Sequence, residues 1–243
     1  MATGFAGQSP SLQKTNQSYK GCLGGKNLKG NFMGQKINPK GFRLGQIYNW
    51  SSRWFADRKH YPDLVLQDAK LRKILMEKLK PAGIAEVEIE RLLNKIEVII
   101  HVSRPGVVIG RGGSGLEELK KFIGKTLGVQ DKNNSRFELK VEPIKEPNLN
   151  AYLVATNIAD QLVKRIPHKR AIRQTVQRVM ASGAQGVRII LSGRIGGAEI
   201  ARHEKQQEGR MPLTTLREKI DFAAVPSLTK SGYVGVKVWI CKP

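Results

Sequence analysis

Gly110-Arg111-Gly112-Gly113, set within Val108-Ile109-Gly110-Arg111-Gly112-Gly113-Ser114-Gly115-Leu116, is the stretch of the chain best suited to hold a phosphate. Glycines carry no Cβ, so their backbone can come close to a phosphodiester. A helix opening just after them turns its free amides and its dipole toward the same anion. Arg111 at the tip adds a charge that pairs with phosphate. Val108 and Ile109, ahead of the loop, are expected to form part of a groove for bases. The same letters satisfy G-x-G-x-x-G through Gly110, Gly112 and Gly115, so a mononucleotide or dinucleotide loop competes, as does a plain helix-opening turn. A dinucleotide fold needs a strand directly before the glycines, and Pro105 and Gly106 interrupt it. It also needs further βα units after Glu138 and Glu142, and none follow. A kinase would add a lysine-bearing strand and a catalytic loop, neither of which occurs.

A second group is Lys169, Arg170 and Arg173, with Lys164 and Arg165 just before and Arg178 beyond. At 100° per residue the first three share one arc of a helix, flanking the apolar arc of Ile172, Val176 and Val179. A solvated face is the ordinary meaning of such a run. Here, however, no acid occurs between Asp160 and Glu199, whereas a self-neutralised helix would place glutamates at i±4. Tyr48, Trp50, Trp54, Phe55, His60 and Tyr61 crowd together among Arg53, Arg58 and Lys59. Such rings stack on bases or anchor a segment, and packing is the expectation for Trp54 and Phe55.

Enzyme signals are weak. His60, His101, His168 and His203 have no metal-ligand spacing, so neither metal nor cofactor is expected. His101 reads as a satisfied strand residue, and Ser114 fails the G-x-S-x-G frame because Leu116 stands where glycine is needed.

Composition points the same way. Among 243 residues, 42 Lys and Arg face 20 Asp and Glu, a net charge of +22. A surface that cationic favours a polyanionic partner. Hydrophobic residues make up 40% and recur periodically, enough for a packed core. No apolar run is long enough to span a bilayer, so no membrane partner is expected. Cys22 and Cys241, near opposite ends, supply neither a disulfide framework nor a paired-cysteine metal site, which fits a reduced, intracellular protein.

Positioning elements follow from periodicity. Residues 1–32 contain four lysines and no acid and read as a disordered basic extension; residues 33–62 form an N-terminal contacting segment. From Asp63, a plausible N-cap, a helix carries Leu71, Ile74, Leu75 and Leu79 and stops at Pro81-Ala82-Gly83. Val87 and Ile89, then Ile96, Val98, Ile100 and Val102, alternate as two strands joined by a turn from Arg91 to Lys95. Ser103 as N-cap and Pro105 in the first turn open a short helix. After the glycines comes a helix with Leu116, Leu119, Ile123 and Leu127 that Gly128 terminates, then a strand with Phe137, Leu139 and Val141. The order over 63–142 is helix, strand, strand, short helix, glycine loop, helix, strand. That arrangement around a GxxG loop has the mechanics of a KH domain, which clamps about four nucleotides of single-stranded nucleic acid. Over 143–243, after a linker at Pro143 to Pro147, two helices precede three alternating segments: Val187 to Leu191, a stretch from Leu216 to Phe222, and Val234 to Ile240. This predicts a second α+β domain with helices packed on a mostly antiparallel sheet.

Three blocks carry a more specific likeness. Met33-Gly34-Gln35-Lys36-Ile37-Asn38-Pro39-Lys40-Gly41-Phe42-Arg43-Leu44-Gly45 resembles the opening of the bacterial-type family of small-ribosomal-subunit protein three. Arg104-Pro105-Gly106-Val107-Val108-Ile109-Gly110 is similar to its KH core. Ser192 to Arg202 and Glu208 to Leu213 resemble its C-terminal signature, and Gly235 to Ile240 is similar to its last strand. The resemblance implies a type II KH domain followed by the α+β domain, bound to small-subunit rRNA beside other head proteins. It also implies a place where mRNA enters the subunit, with Lys169, Arg170 and Arg173 at the family's basic positions and Arg194, Arg202 and Arg210 as further RNA-binding residues. The expected location is the ribosome, cytoplasmic or organellar. His203-Glu204-Lys205-Gln206-Gln207 departs from the Trp-Tyr-Arg element common in the family, which leaves the contact of that segment open. A free-standing KH regulator of mRNA and a nucleotide-dependent enzyme remain the competing functions. The first is separated by co-sedimentation with the small subunit, the second by nucleotide binding.

Overall fold

The computed structural model describes residues 36–92, 95–127 and 136–243; the basic extension at 1–32, the center of the turn between the first two long strands and Gly128 lie outside these residues. Residues 37–243 form one compact unit built on two sheets, each with its own core.

The first sheet has the order β1-β2-β3-β4, with β1 at Ser52–Arg53, β2 at Ile84–Leu92, β3 at Lys95–Val102 and β4 at Arg136–Pro143. β2 and β3 are antiparallel; β1 runs parallel to β2, and β4 runs parallel to β3. Such parallel pairing needs a crossover: the helix Tyr61–Lys78 links β1 to β2, and α3 (Pro105–Ile109) and α4 (Ser114–Leu127) link β3 to β4. Val87, Ile89, Val98, Ile100 and Leu139 from the strands meet Leu71, Leu75 and Leu79 from helix α2 (Tyr61–Lys78) and its end, and Leu119 and Ile123 from α4. The helical stripe and the strand alternation are therefore the core itself. Ile74, at the edge of the stripe, is only half-buried.

Caps and turns differ from expectation. α2 begins at Tyr61 with His60 at the cap position, and Asp63 lies in its first turn, where a carboxylate favours the dipole without capping. Arg104, not Ser103, precedes α3. The two long strands continue to Leu92 and resume at Lys95, which pair with each other, so the turn is shorter than Arg91 to Lys95.

The second sheet, β6-β5-β8-β7, is wholly antiparallel, with β5 at Gly186–Gly193, β6 at Arg202–Gly209, β7 at Ile220–Thr229 and β8 at Gly232–Cys241. Helices α5 (Ala151–Val163) and α6 (His168–Ala181) bury Val154, Ile158, Ile172, Val176 and Val179 against Ile189, Leu191, Val236 and Val238. Asn150 caps α5, its side chain accepting from the amides of Tyr152 and Leu153. The sheet has four strands where three were expected. β6 had no apolar alternation to reveal it, because it buries no residue, and β7 starts at Ile220, not Leu216. The α+β class, with helices on a mostly antiparallel second sheet, is as the sequence predicts.

The segment before α2 is tied down by an arginine. Arg43, fully buried, donates to five carbonyls, those of Pro39, Pro212, Leu213, Thr215 and Glu218. Trp54 is half-buried, donating its indole N–H to Asp68 at 2.8 Å and lying 5.3 Å from the Tyr61 ring. Phe55 does not pack; it is 93% exposed.

Candidate nucleic-acid interface

The glycine loop connects α3 to α4, not a strand to a helix. That order removes the dinucleotide arrangement, in which the glycines leave the end of a strand. Gly110, Gly112 and Gly113 all have positive φ, at 70°, 62° and 84°, a region that side chains with a Cβ rarely enter. Their surroundings divide the loop in two. A Cβ on Gly115 would lie 2.8 Å from the Val108 carbonyl oxygen, and one on Gly110 3.1 Å from the Gly115 amide nitrogen. These two glycines let α3 and α4 touch. Around Gly112 and Gly113 there is nothing within 4 Å, so the tip is open to an incoming phosphate. Arg111 is exposed there, and its carbonyl accepts the Ser114 hydroxyl at 3.0 Å. Ser114 thus closes the loop. One expectation reverses: Val108 is 1% exposed and belongs to the core, while Val107 and Ile109 are the exposed apolar residues beside the loop. A short helix turns every third or fourth residue inward, and Val108 takes that position.

On α6 the separation of faces is complete. Ala171, Ile172, Thr175, Val176 and Val179 are buried, and Lys169, Arg170 and Arg173 are exposed. None of these three cations forms an ion pair among the described residues. The turn before α6 places Arg165 at φ 60°, the one non-glycine residue with positive φ among those described. Arg165, His168, Arg194 and Lys230 line a cleft of about 380 Å³ floored by Leu162, Ile195 and Val234. The structure therefore brings Arg194 to the start of the basic helix. Arg194 Nε donates to the Ala198 carbonyl at 2.9 Å, which closes the turn formed by Ile195–Gly197.

Arg202 is exposed at the first position of β6. Arg210 is exposed but lies 3.5 Å from Glu218, so part of its charge is used within the chain. The segment from His203 to Gln207 pairs with β5 from end to end, and Glu204 lies 2.8 Å from His168 Nε2. The segment is thus the edge strand of the second sheet, with Glu204 beside the start of α6. The glycine loop and the α6 face stand in different halves of the chain, with no residue shared. Sequence reasoning missed Lys230, which has no periodic neighbour and reaches the cleft only through the β7–β8 turn.

His101 lies between Glu88 at 3.2 Å and Glu142 at 3.5 Å, a satisfied strand residue. Glu97, nearly buried on β3, is held below the ordinary carboxylate value by Lys140 first and then Lys95. Lys95 is held above its own by Glu138 and Glu97. These pairs tie β3 to β4.

A helix–strand–strand–helix–GxxG–helix–strand unit with an open glycine tip, followed by a second α+β unit whose α6 cations are unpaired among the described residues, defines an RNA-binding protein of the type II KH class. The chain matches the KH domain family over residues 70–149 and the family described as "Ribosomal protein S3, C-terminal domain" over 158–240. It is 49% identical over 210 residues to small ribosomal subunit protein uS3 of Carboxydothermus hydrogenoformans, covering 86% of this chain and 92% of that protein. Against the protein of the same name from Methylococcus capsulatus it is 46% identical, with the same two coverages. Against that of Lactobacillus acidophilus it is 49% identical over 208 residues, covering 86% and 90%. The chain belongs to the small ribosomal subunit protein uS3 family, whose members are structural and not enzymatic.

Proposed function

We propose that the chain is a structural constituent of the small-subunit head that binds rRNA, contacts neighbouring head proteins, and presents α6 to mRNA entering the subunit. In this reading Gly110, Arg111, Gly112 and Gly113 clamp an RNA backbone, and Lys169, Arg170 and Arg173 line the path of the message. Arg194, Arg202 and Arg210 add contacts to RNA. The division follows the two cores: a KH domain over 63–142, an α+β domain over 143–243, an N-terminal contacting segment at 33–62 and an extension at 1–32.

The observation that carries the mRNA part is the row of three exposed cations on α6, with no ion pair among the described residues. With no ion-pair partner among the described residues, these cations are left for a passing phosphate strand to neutralise. Holding the incoming strand disfavours its re-pairing while translocation provides the force, so no hydrolytic chemistry is required. The test is single-turnover elongation on matched messages with and without a stable downstream hairpin. Changing all three residues to Ala is expected to slow only the structured message. Equal slowing on both, or none on either, contradicts the reading.

A further inference from the structure

The second sheet offers two faces, and α5 and α6 cover one. On that face Ile189, Val238 and Ala223 stand in one cross-strand row, and Leu191, Val236 and Val225 in another. Glu204, Glu208 and Asp221, the acids of these strands, share its parity, opposite Leu191, Val187 and Ile240. The opposite parity puts Gln207, Arg188, Trp239 and Phe222 in one row, and Lys205, Ile190, Lys237 and Ala224 in the next. No acid stands on this face in any of the four strands. One end of it is closed where α1 (Pro39–Phe42) packs on β7 and Ile220 and Cys241 are fully buried. Farther along, Lys205, Lys237 and Ala224 are exposed.

The rings and cations of this face are already arranged. Phe222 and Trp239 lie 5.0 Å apart, tilted by 38°. The Arg188 guanidinium sits 5.3 Å from the Trp239 ring centroid, and its Nε is buried with no acceptor among the described residues. Neither Lys205 nor Lys237 forms an ion pair among those residues. A guanidinium laid on an indole keeps the fork of N–H donors at its edge for a phosphate. Adjacent half-buried rings offer a surface on which any base can stack. An acid-free face with both features matches a polyanion that carries rings.

We propose that this face is a second RNA platform, separate from the glycine loop and from α6, that takes an unpaired nucleotide segment. A base stacks at Trp239 and Phe222, and the flanking phosphates meet Arg188, Lys205 and Lys237. The proposal rests on the reading of the chain as RNA-binding.

The test is photo-crosslinking of the full chain to a short single-stranded RNA carrying 5-iodouridine, with mapping of the attached peptides. Crosslinks are expected at Trp239 or Phe222 as well as near Gly110 to Gly113. Combining Lys205→Glu with Lys237→Glu, both exposed and outside the core, should lower the Trp239 crosslink about tenfold and leave the glycine-loop crosslink unchanged. Trp239→Phe should retain RNA at Phe222, and Trp239→Leu, with an unchanged melting transition, should lose it. Crosslinks confined to the glycine loop and α6 overturn the platform alone; crosslinks nowhere overturn the RNA-binding reading with it. In assembled small subunits, attachment of Trp239 to protein instead of rRNA also overturns the proposal.

Discussion

The glycine loop and helix α6 meet RNA, in the reading proposed here, by opposite means. The loop offers backbone: its value lies in what Gly112 and Gly113 lack, with open space around them and φ angles that side chains avoid. Helix α6 offers side chains on a scaffold whose other face is fully packed. A backbone site is all-or-none, because one substitution at the tip changes the shape that meets the phosphate. A side-chain site is graded, because each exposed cation contributes separately and is screened by solvent. The difference teaches that charge alone does not mark function in this chain, and Arg43 is the limiting case, a cation spent entirely on holding the fold together.

Arg43→Ala therefore sets the scale, with the largest effect on stability. It strips one buried donor group from five carbonyls at once, and a loss of roughly 3 kcal/mol is expected in denaturant unfolding. A loss no larger than that of Arg170→Ala would erase the distinction between buried and exposed cations.

Gly112→Asp comes next and acts on binding. Aspartate tolerates the left-handed region better than most residues, so the fold should survive while a negative charge sits where phosphate belongs. Affinity for single-stranded RNA should fall on the order of tenfold or more, against a modest loss for Arg111→Ala, whose salt slope should drop by about 0.7. Titration at several salt concentrations measures both, and equal affinities for the two folded variants would argue against a backbone clamp.

On α6 the expected pattern is additive. Each of Lys169→Ala, Arg170→Ala and Arg173→Ala should weaken RNA binding by about 1 kcal/mol at most, and the triple change should lower the salt slope by about 2. The melting transition should stay in place, since the apolar face is untouched. A single substitution that accounts for the whole loss would make this site resemble the loop.

The smallest effect concerns pH. Glu97 is held below its ordinary value of 4.5 by Lys140 and Lys95, so its contribution to stability is complete above that value and is lost as pH falls through the depressed one. Lys95 is held above its ordinary 10.5 by Glu138 and Glu97; its contribution is present below that value and disappears as pH rises past the elevated one. Glu97→Gln should flatten the acid limb of unfolding free energy against pH. An unchanged acid limb would remove the β3–β4 pairs from the account.

Much of this could be read from residue order, and the reason is local. Alternation in β2, β3 and β8 and the stripes of α2 and α4 record which side chains lose water, so periodicity named those elements wherever one face was buried. The three glycines and the missing acids around α6 are likewise written in the chain. Where burial leaves no imprint, the sequence is silent. Strand β6 buries nothing and exists only because β5 offers it a ladder of hydrogen bonds, a partnership made across sequence distance. Val108 and Val107 are the same residue type side by side, and only the packing of α3 decided which one faces the core. Phe55 and Trp54 are both large rings, and only the tertiary contacts of Trp54 with Asp68 and Tyr61 explain why one is held and the other exposed. Arg43 looks in sequence like one more cation of a basic protein. The five carbonyls that claim it come mostly from residues 212–218, and only the tertiary fold brings them to it.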